Sequence, residues 1–160
     1  MWWILLACGG ERWDTVAVED EGDLCLYAGD FDPFATVGNP PGAESTFTST
    51  DPITVHYVPL ECYSSSCTQN IDISCTTSVD GSVITIEGTG SWEEASGKNQ
   101  ECTADCGLGD AQCTIDPLPK GTYEVRFGSE SASLTIPSTA TVCLHGDEPP
   151  RRQASDQATR

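Results

Sequence analysis

The chain has 160 residues and a formal net charge of −18, with 25 acidic side chains against seven basic ones. This size predicts one domain. A strongly negative field repels the phosphates of nucleic acid and of anionic lipid, which argues against a nucleic-acid partner and means that membrane contact requires an anchor. Nine cysteines in so short a chain favour a disulfide framework in an oxidising compartment over cytosolic metal sites.

Residues 1–8 are predicted to be a signal segment, because an apolar run ends there on a cysteine followed by two glycines. Within it, Leu5-Leu6-Ala7-Cys8 resembles the lipobox of bacterial lipoproteins, in which the cysteine is acylated after cleavage. The resemblance implies a protein of the bacterial cell envelope, anchored at the outer membrane or exposed in the periplasm or at the surface, with lipid attached to Cys8. Acylation of Cys8 would leave eight cysteines, an even number that can form four bridges. The alternative is a short apolar N-terminus packed into a core.

Residues 9–23 are rich in glycine and then acidic, which predicts a disordered tether. In residues 24–145, short apolar runs with period-2 alternation are separated by turn-forming clusters, a pattern typical of an all-β sandwich or barrel. Residues 146–160 are polar and predict a disordered tail.

The clearest local pattern is a hairpin over residues 69–92. Asp80-Gly81 is a signal for a two-residue type I′ turn, and a turn there would place Thr77 opposite Ile84. The apolar faces of the two strands then agree, as the two-residue side-chain period requires. Gly88 lies on this face and is expected to leave room for a bulky side chain from elsewhere.

A second hairpin is predicted over residues 122–136, with a turn centred on Ser129-Glu130 that would place Val125 opposite Leu134. Its apolar faces also agree.

The approach to this hairpin, residues 118–125, contains the pattern P-x-G-x-Y-x-V and resembles the start of a late strand in bacterial immunoglobulin-like domains. The resemblance implies that Tyr123 is a corner residue whose hydroxyl bonds back to nearby backbone. The predicted fold is an antiparallel, immunoglobulin-like β-sandwich of about seven to eight strands, stapled by disulfides. Weaker strand patterns cover residues 24–28, 53–58, 111–115 and 140–144. In the long loop after the first of these, Phe31 and Phe34 are expected to cap an open end of the core.

Strand parity limits the cysteine pairings. Cys75 and Cys113 both lie on predicted apolar faces, which indicates a buried bridge between the two sheets. Cys25 and Cys143 both point away from their apolar neighbours and could join the first and last strands. Other connectivities stay open, since eight cysteines can pair in many ways. Two local pairs then remain, Cys62 with Cys67 and Cys102 with Cys106.

No metal site is predicted. A thiolate site within residues 102–113 is disfavoured because zinc sites generally use CxxC pairs. Asp105, Asp110 and Asp116 could offer oxygens to calcium, but their spacing differs from that of an EF-hand loop, so a solvated loop is favoured.

Candidate catalytic residues are few. His56 is predicted to lie on the less buried face of its strand, and His145 lies at the edge of the tail. Glu93-Glu94 follows Trp92 directly, and a glycosidase would need such carboxylates to face each other across a cleft. A solvated pair of charges is favoured, with Trp92 closing the core rather than stacking on a sugar.

These patterns predict an exported, lipid-anchored envelope protein that acts as a binding or structural module. It is predicted not to be an enzyme and to need no cofactor, and its ligand would be a protein or a glycan. The alternatives are an envelope glycan hydrolase that uses carboxylates near Trp92, and a carbohydrate- or calcium-binding adhesin.

Overall fold

The computed structural model describes residues 12–29, 46–97, 101–140 and 142–146. These residues form nine strands in two sheets and no helix, so the prediction of an all-β, sandwich-like fold is confirmed. The lipobox with Cys8, the loop residues Phe31 and Phe34, and the tail after Gly146 lie outside the described residues. The strands are β1 (Trp13–Glu19), β2 (Asp23–Ala28), β3 (Ile53–Tyr63), β4 (Thr68–Asp80), β5 (Val83–Ala95), β6 (Gly107–Ile115), β7 (Gly121–Phe127), β8 (Glu130–Ile136) and β9 (Val142–His145).

Strand β5 organises the five-stranded sheet. Strand β4 pairs along one edge of β5 over most of its length. The other edge is shared, since β7 pairs in parallel with residues 83–86 and β1 pairs antiparallel with residues 89–95. Strand β8 then pairs with β7. The four-stranded sheet has the order β6-β3-β2-β9 and is antiparallel throughout.

Strand β1 corrects the expectation of a tether over residues 9–23. Val16 and Val18 are half-buried, while Thr15, Ala17 and Glu19 are exposed, which is the alternation of a strand with one face covered. The acidic residues that suggested a tether begin only at the end of this strand. The folded unit therefore starts before residue 24.

Asp20 fills the gap between β1 and β7 along the shared edge of β5. Its backbone N–H donates to the carbonyl of Gly88 at 2.8 Å, and its carboxylate accepts the N–H of Gly88 at 2.8 Å. Asp20 has a positive φ of 54°, which is tolerated by aspartate better than by most residues. Asp20 thus satisfies both backbone groups of Gly88, one with its own backbone and one with its side chain.

The core lies between the two sheets. The ring of Tyr57 occupies the space above Gly88, where a Cβ would lie 2.6 Å from the ring, so the expectation of room at that glycine is confirmed. Tyr57 also packs edge-to-face on Phe127, with ring centroids 5.6 Å apart. The largest fully buried side chains also include Phe47, Leu24, Leu26, Ile53, Ile84, Ile86, Ile115, Leu134 and Ile136.

Both predicted hairpins form, but with a register that differs by two residues from the expected one. Thr77 lies opposite Ile86 rather than Ile84, and Val125 lies opposite Ala132 rather than Leu134. The cause is the position of glycine in the turn.

Each turn is a Gly-Ser pair, Gly81-Ser82 and Gly128-Ser129, with φ of +58° and +54° at the glycines. Positive φ at the first central residue alone is the type II′ pattern, in which glycine takes that place. A turn on Asp80-Gly81 would have required positive φ at aspartate. A shift by two residues keeps every side chain on its predicted face.

Four disulfides link the eight described cysteines. Cys25–Cys143 joins β2 to β9, and Cys75–Cys113 joins β4 to β6 across the two sheets, in agreement with strand parity. The expected local pairs are wrong. The loop cysteines are instead bridged between segments, as Cys62–Cys106 and Cys67–Cys102.

The loop bridges follow from the length of β3. Strands β3 and β6 both extend beyond the predicted residues, and their pairing continues to Tyr63 opposite Gly107. This brings the Cα atoms of Cys62 and Cys106 to 4.4 Å.

The Tyr123 corner is confirmed. Its hydroxyl donates to the carbonyl of Pro119 at 2.9 Å.

Candidate functional site

The outer face of the five-stranded sheet, which points away from the other sheet, is flat and polar. On β5 the even-numbered residues Ile84 and Ile86 are buried, so the odd-numbered ones point outward. Neighbouring residues of β1 and β4 extend this surface on both sides of β5. A shallow groove of about 400 Å³ crosses it, lined by Ala17, Val18, Glu19, Asp72, Ser74, Thr89, Gly90 and Ser91.

Cross-strand hydrogen bonds stiffen this groove. Ser74 and Thr89 lie opposite each other, and their hydroxyl oxygens are 2.9 Å apart. The hydroxyl of Thr76 donates to Glu87 at 3.5 Å. The small side chains in the centre leave backbone close to the surface, so a ligand could approach the strands without displacing a large side chain.

The outer face is negatively charged. Glu19 and Asp72 line the groove, and Glu87 lies next to it on β5. Among the described residues, no ion pair involves any of these three carboxylates. Arg12 and Arg126 instead pair with Asp14 and Glu124.

The sequence patterns missed this surface because they assigned Ala17 and Glu19 to a tether. The alternation of Asp72 and Ser74 did indicate an outward face on β4, but one strand does not define a groove. The usable signal was the run Thr15-Val16-Ala17-Val18, in which three of the four residues are β-branched.

A second polar cluster lies between the two loop disulfides. Asp105 accepts hydrogen bonds from the N–H of Ser65 at 3.1 Å and from the hydroxyl of Thr103. Ser64 also contacts both Thr103 and Asp105. Hydrogen bonds from Ser65 and Thr103 hold the pKa of the Asp105 carboxyl well below its usual range.

The residues considered for calcium are therefore not assembled into a site. Asp105 accepts hydrogen bonds from Ser65 and Thr103, and Asp110 lies 2.9 Å from the His56 Nε2 atom. Within the described ranges, no group of three or more histidine, cysteine or acidic side chains is arranged to hold a metal. The cysteines considered as thiolate ligands, Cys102, Cys106 and Cys113, are in disulfides.

The two histidines occupy contrasting positions. His56 lies on the less buried face of β3, as expected, but that face is covered too and the residue is only 9% exposed. His145 is exposed, and its Nδ1 atom lies 2.6 Å from Asp23. This hydrogen bond, together with the negative charge of Asp23, raises the pKa of His145.

The carboxylates near Trp92 point in different directions. Trp92 is 5% exposed, as expected for a residue that closes a core, and its Nε1–H donates to Glu94 at 2.9 Å. Glu93 points to the opposite side of the sheet, where it accepts hydrogen bonds from Gln69 and Asn70, each at 2.8 Å. The carboxylates of Glu93 and Glu94 therefore do not face each other across a cleft.

Comparisons with known proteins give no relative. No protein-family model, no curated protein and no solved structure matches the chain. Across the part of the chain that the structure describes, there is no helix long and apolar enough to cross a membrane.

Proposed function

We propose that this protein is an exported, lipid-anchored binding module of the bacterial cell envelope, without catalytic turnover. Its anchor is a lipid on Cys8, and its binding surface is the outer face of the five-stranded sheet. Four disulfides indicate an oxidising compartment outside the cytoplasm.

The pairing of the cysteines is the observation that carries the proposal. The eight cysteines from Cys25 to Cys143 pair among themselves, which leaves Cys8 as the odd cysteine of the nine. An unpaired cysteine is unusual in an oxidising compartment, and acylation in a lipobox-like segment accounts for it. Several acyl chains on one cysteine would hold a protein of charge −18 at a membrane that repels it.

The rigidity of the scaffold supports a binding role. The groove is built on the paired strands β1, β4 and β5, and a site on strands is held more rigidly than a site on loops. The groove lies on the side of the sheet opposite the core, where Ser74, Thr89 and the flanking carboxylates are available to a partner.

The immunoglobulin-like topology is part of the same proposal. It is supported by the two-sheet arrangement and by the corner at Tyr123. An experimental structure that superposes the β-strands on an immunoglobulin-like domain in the same chain order would test it.

Mass spectrometry of the membrane fraction tests the anchor. The full chain, expressed in a bacterium with a working lipoprotein pathway, is expected to yield an N-terminal peptide that begins at an acylated Cys8. A Cys8→Ser variant should move to the soluble fraction. A double variant, Cys25→Ser with Cys143→Ser, keeps the lipobox and should stay with the membrane. Recovery of an unmodified, uncleaved Met1 N-terminus from the membrane fraction would contradict the proposal.

A further inference from the structure

The hydrogen-bond pattern of β1 divides its backbone groups into two sets. At one end of the β1–β5 ladder the N–H of Ser96 donates to the carbonyl of Arg12, and at the other the N–H of Asp20 donates to the carbonyl of Gly88, both at 2.8 Å. Antiparallel pairs alternate between bonded and non-bonded. The register therefore directs the N–H and C=O groups of residues 14, 16 and 18 toward β5.

The same alternation directs the N–H and C=O groups of Trp13, Thr15, Ala17 and Glu19 away from β5. Over the described ranges, no strand pairs with this side of β1, and no backbone hydrogen bond satisfies these groups. Seven residues of open edge are a ready template for another strand.

Within the part of the chain that the structure describes, the other edges of the two sheets have neighbours that β1 does not have. Strand β4 packs beside β6 and is bonded to it covalently, and β8 packs beside β9, whereas β1 packs mainly on β5. Strand β1 contains no proline and no lysine, and its pairing with β5 has no bulge. Its two charged residues, Asp14 and Glu19, are both acidic, so they disfavour an acidic partner strand but not a basic one.

We propose that the outer edge of β1 binds an extended segment of a partner protein that carries basic side chains, and that this segment adds a strand to the five-stranded sheet. Backbone bonds to the outward groups of Thr15, Ala17 and Glu19 would supply affinity, and alternate side chains of the partner would supply specificity. This inference rests on the proposed binding function and names its partner class.

Charge selects a basic partner. Side chains of the added strand that lie on the outer face would stand beside Ala17 and Glu19, at the border of the acidic groove. The short side chain of Ala17 leaves space there for a long one, and the carboxylate of Glu19 suits a lysine or an arginine. A second copy of the chain would bring another charge of −18 to the same edge, which disfavours self-pairing.

The test uses the full chain with its disulfides formed and two blocked seven-residue peptides, one alternating lysine with valine and one alternating glutamate with valine, matched to the length of β1. The lysine peptide should bind, and the glutamate peptide should bind at least about tenfold more weakly, which corresponds to about 1.4 kcal/mol. Amide exchange at Thr15, Ala17 and Glu19 should be fast in the free protein and slow with the lysine peptide bound.

Proline and charge variants separate edge pairing from simple ion pairing. Ala17→Pro removes an outward N–H, a change that edge strands tolerate, and should lower the affinity for the lysine peptide at least about tenfold. Ala17→Ser keeps the N–H and should bind as the parent does. Glu19→Gln should lower the affinity about two- to fivefold.

Three results would overturn the inference. One is equal binding of the lysine peptide by Ala17→Pro and Ala17→Ser. Another is slow exchange at Thr15 and Ala17 in the free monomer, which would show that the chain already covers its own edge. The third is protection that grows with protein concentration alone, which would assign the edge to a second copy.

The proposal of a lipid anchor and the proposal of strand addition at β1 can be refuted independently. An unacylated Cys8 would refute the proposed anchoring and leave peptide binding untouched. Loss of peptide binding by an acylated protein would refute the edge alone.

Discussion

Strands β4 and β1 lie on opposite sides of β5, and their outer edges differ in how they are covered. The β4 edge is closed against β6 by the Cys75–Cys113 bridge and by the hydroxyl of Thr77, which donates to the carbonyl of Thr114 at 2.9 Å. The β1 edge has no neighbour on its outer side among the described residues. The β4 edge is therefore linked to the other sheet, whereas the β1 edge is the one at which a further strand could pair.

This difference shows that the open edge is not a general weakness of the fold. A chain with four disulfides has the means to tie its edges, and three of its bridges connect residues 62–75 with residues 102–113. None of the four reaches β1. Among the described residues the β1 edge is seven residues long and has no bulge, which is the form of a site for strand addition unless something covers it.

Removal of the bridge at the closed edge should have a large effect. The double variant Cys75→Ala with Cys113→Ala is expected to lower the free energy of unfolding by about 2–4 kcal/mol, because the unfolded chain loses a long-range constraint. Urea unfolding under oxidising conditions measures this. Amide exchange should rise along β4.

A matched control removes the bridge within the other sheet. Cys25→Ala with Cys143→Ala should also destabilise the protein but should leave β4 protected, because that bridge joins β2 to β9. Equal loss of β4 protection in both double variants would show that the Cys75–Cys113 bridge does not close the edge.

Two prolines on β1 test which backbone groups face outward. Val18→Pro removes an N–H that is bonded to β5 and should reduce the free energy of unfolding by about 1–3 kcal/mol more than Ala17→Pro does, because it leaves a buried carbonyl of β5 without its partner. Thermal and urea unfolding of the two variants provide the comparison. A larger loss for Ala17→Pro would mean that the inward and outward sets are assigned the wrong way round, and equal losses would mean that the two sets do not differ.

Much of this architecture was predictable, because side-chain alternation is a local property of the sequence. The faces of β4, β5, β7 and β8 and the bridge between Cys75 and Cys113 follow from it. The hydroxyl contact of Tyr123 was instead implied by the resemblance of residues 118–125 to a known strand entry. Even the hairpin registers erred only by two residues, which preserves the faces. The error arose because glycine takes the first turn position at Gly81 and Gly128.

The parts that were not predictable depend on partners distant in the sequence. The place of strand β1 depends on its pairing with β5, and the acidic residues at the end of β1 resemble a tether. The pairing of Cys62 with Cys106 depends on how far β3 and β6 continue together. The burial of His56 depends on its place in the assembled fold. The candidate groove was not predictable for the first of these reasons, because Ala17 and Glu19 of β1 line it.

The hydrogen bond from the Thr77 hydroxyl at the β4 edge should contribute less to the free energy of unfolding than the Cys75–Cys113 bridge does. Thr77→Val keeps the β-branched shape and removes the hydrogen bond to the Thr114 carbonyl, so the free energy of unfolding should fall by about 0.5–1.5 kcal/mol. Thr76→Val is the matched control on the adjacent, exposed residue, and its effect should stay within about 0.5 kcal/mol. Urea unfolding distinguishes the two. Equal effects would mean that the Thr77 hydroxyl does not help to hold β4 against β6.

The smallest effect on stability is expected from the ion pair in the four-stranded sheet between His145 of β9 and Asp23 of β2. The hydrogen bond that His145 donates to Asp23 raises the pKa of His145 above its ordinary 6.5. Since the folded pKa exceeds the unfolded one, the added stability is fully present below pH 6.5 and is lost as the pH rises through the folded pKa. Both side chains are largely exposed, so salt should weaken the effect. Titration of the His145 ring by NMR should give a raised pKa that returns toward 6.5 in Asp23→Asn. An unchanged titration in that variant would show that this end of the sheet is held without the charged pair, by the Cys25–Cys143 bridge and backbone pairing.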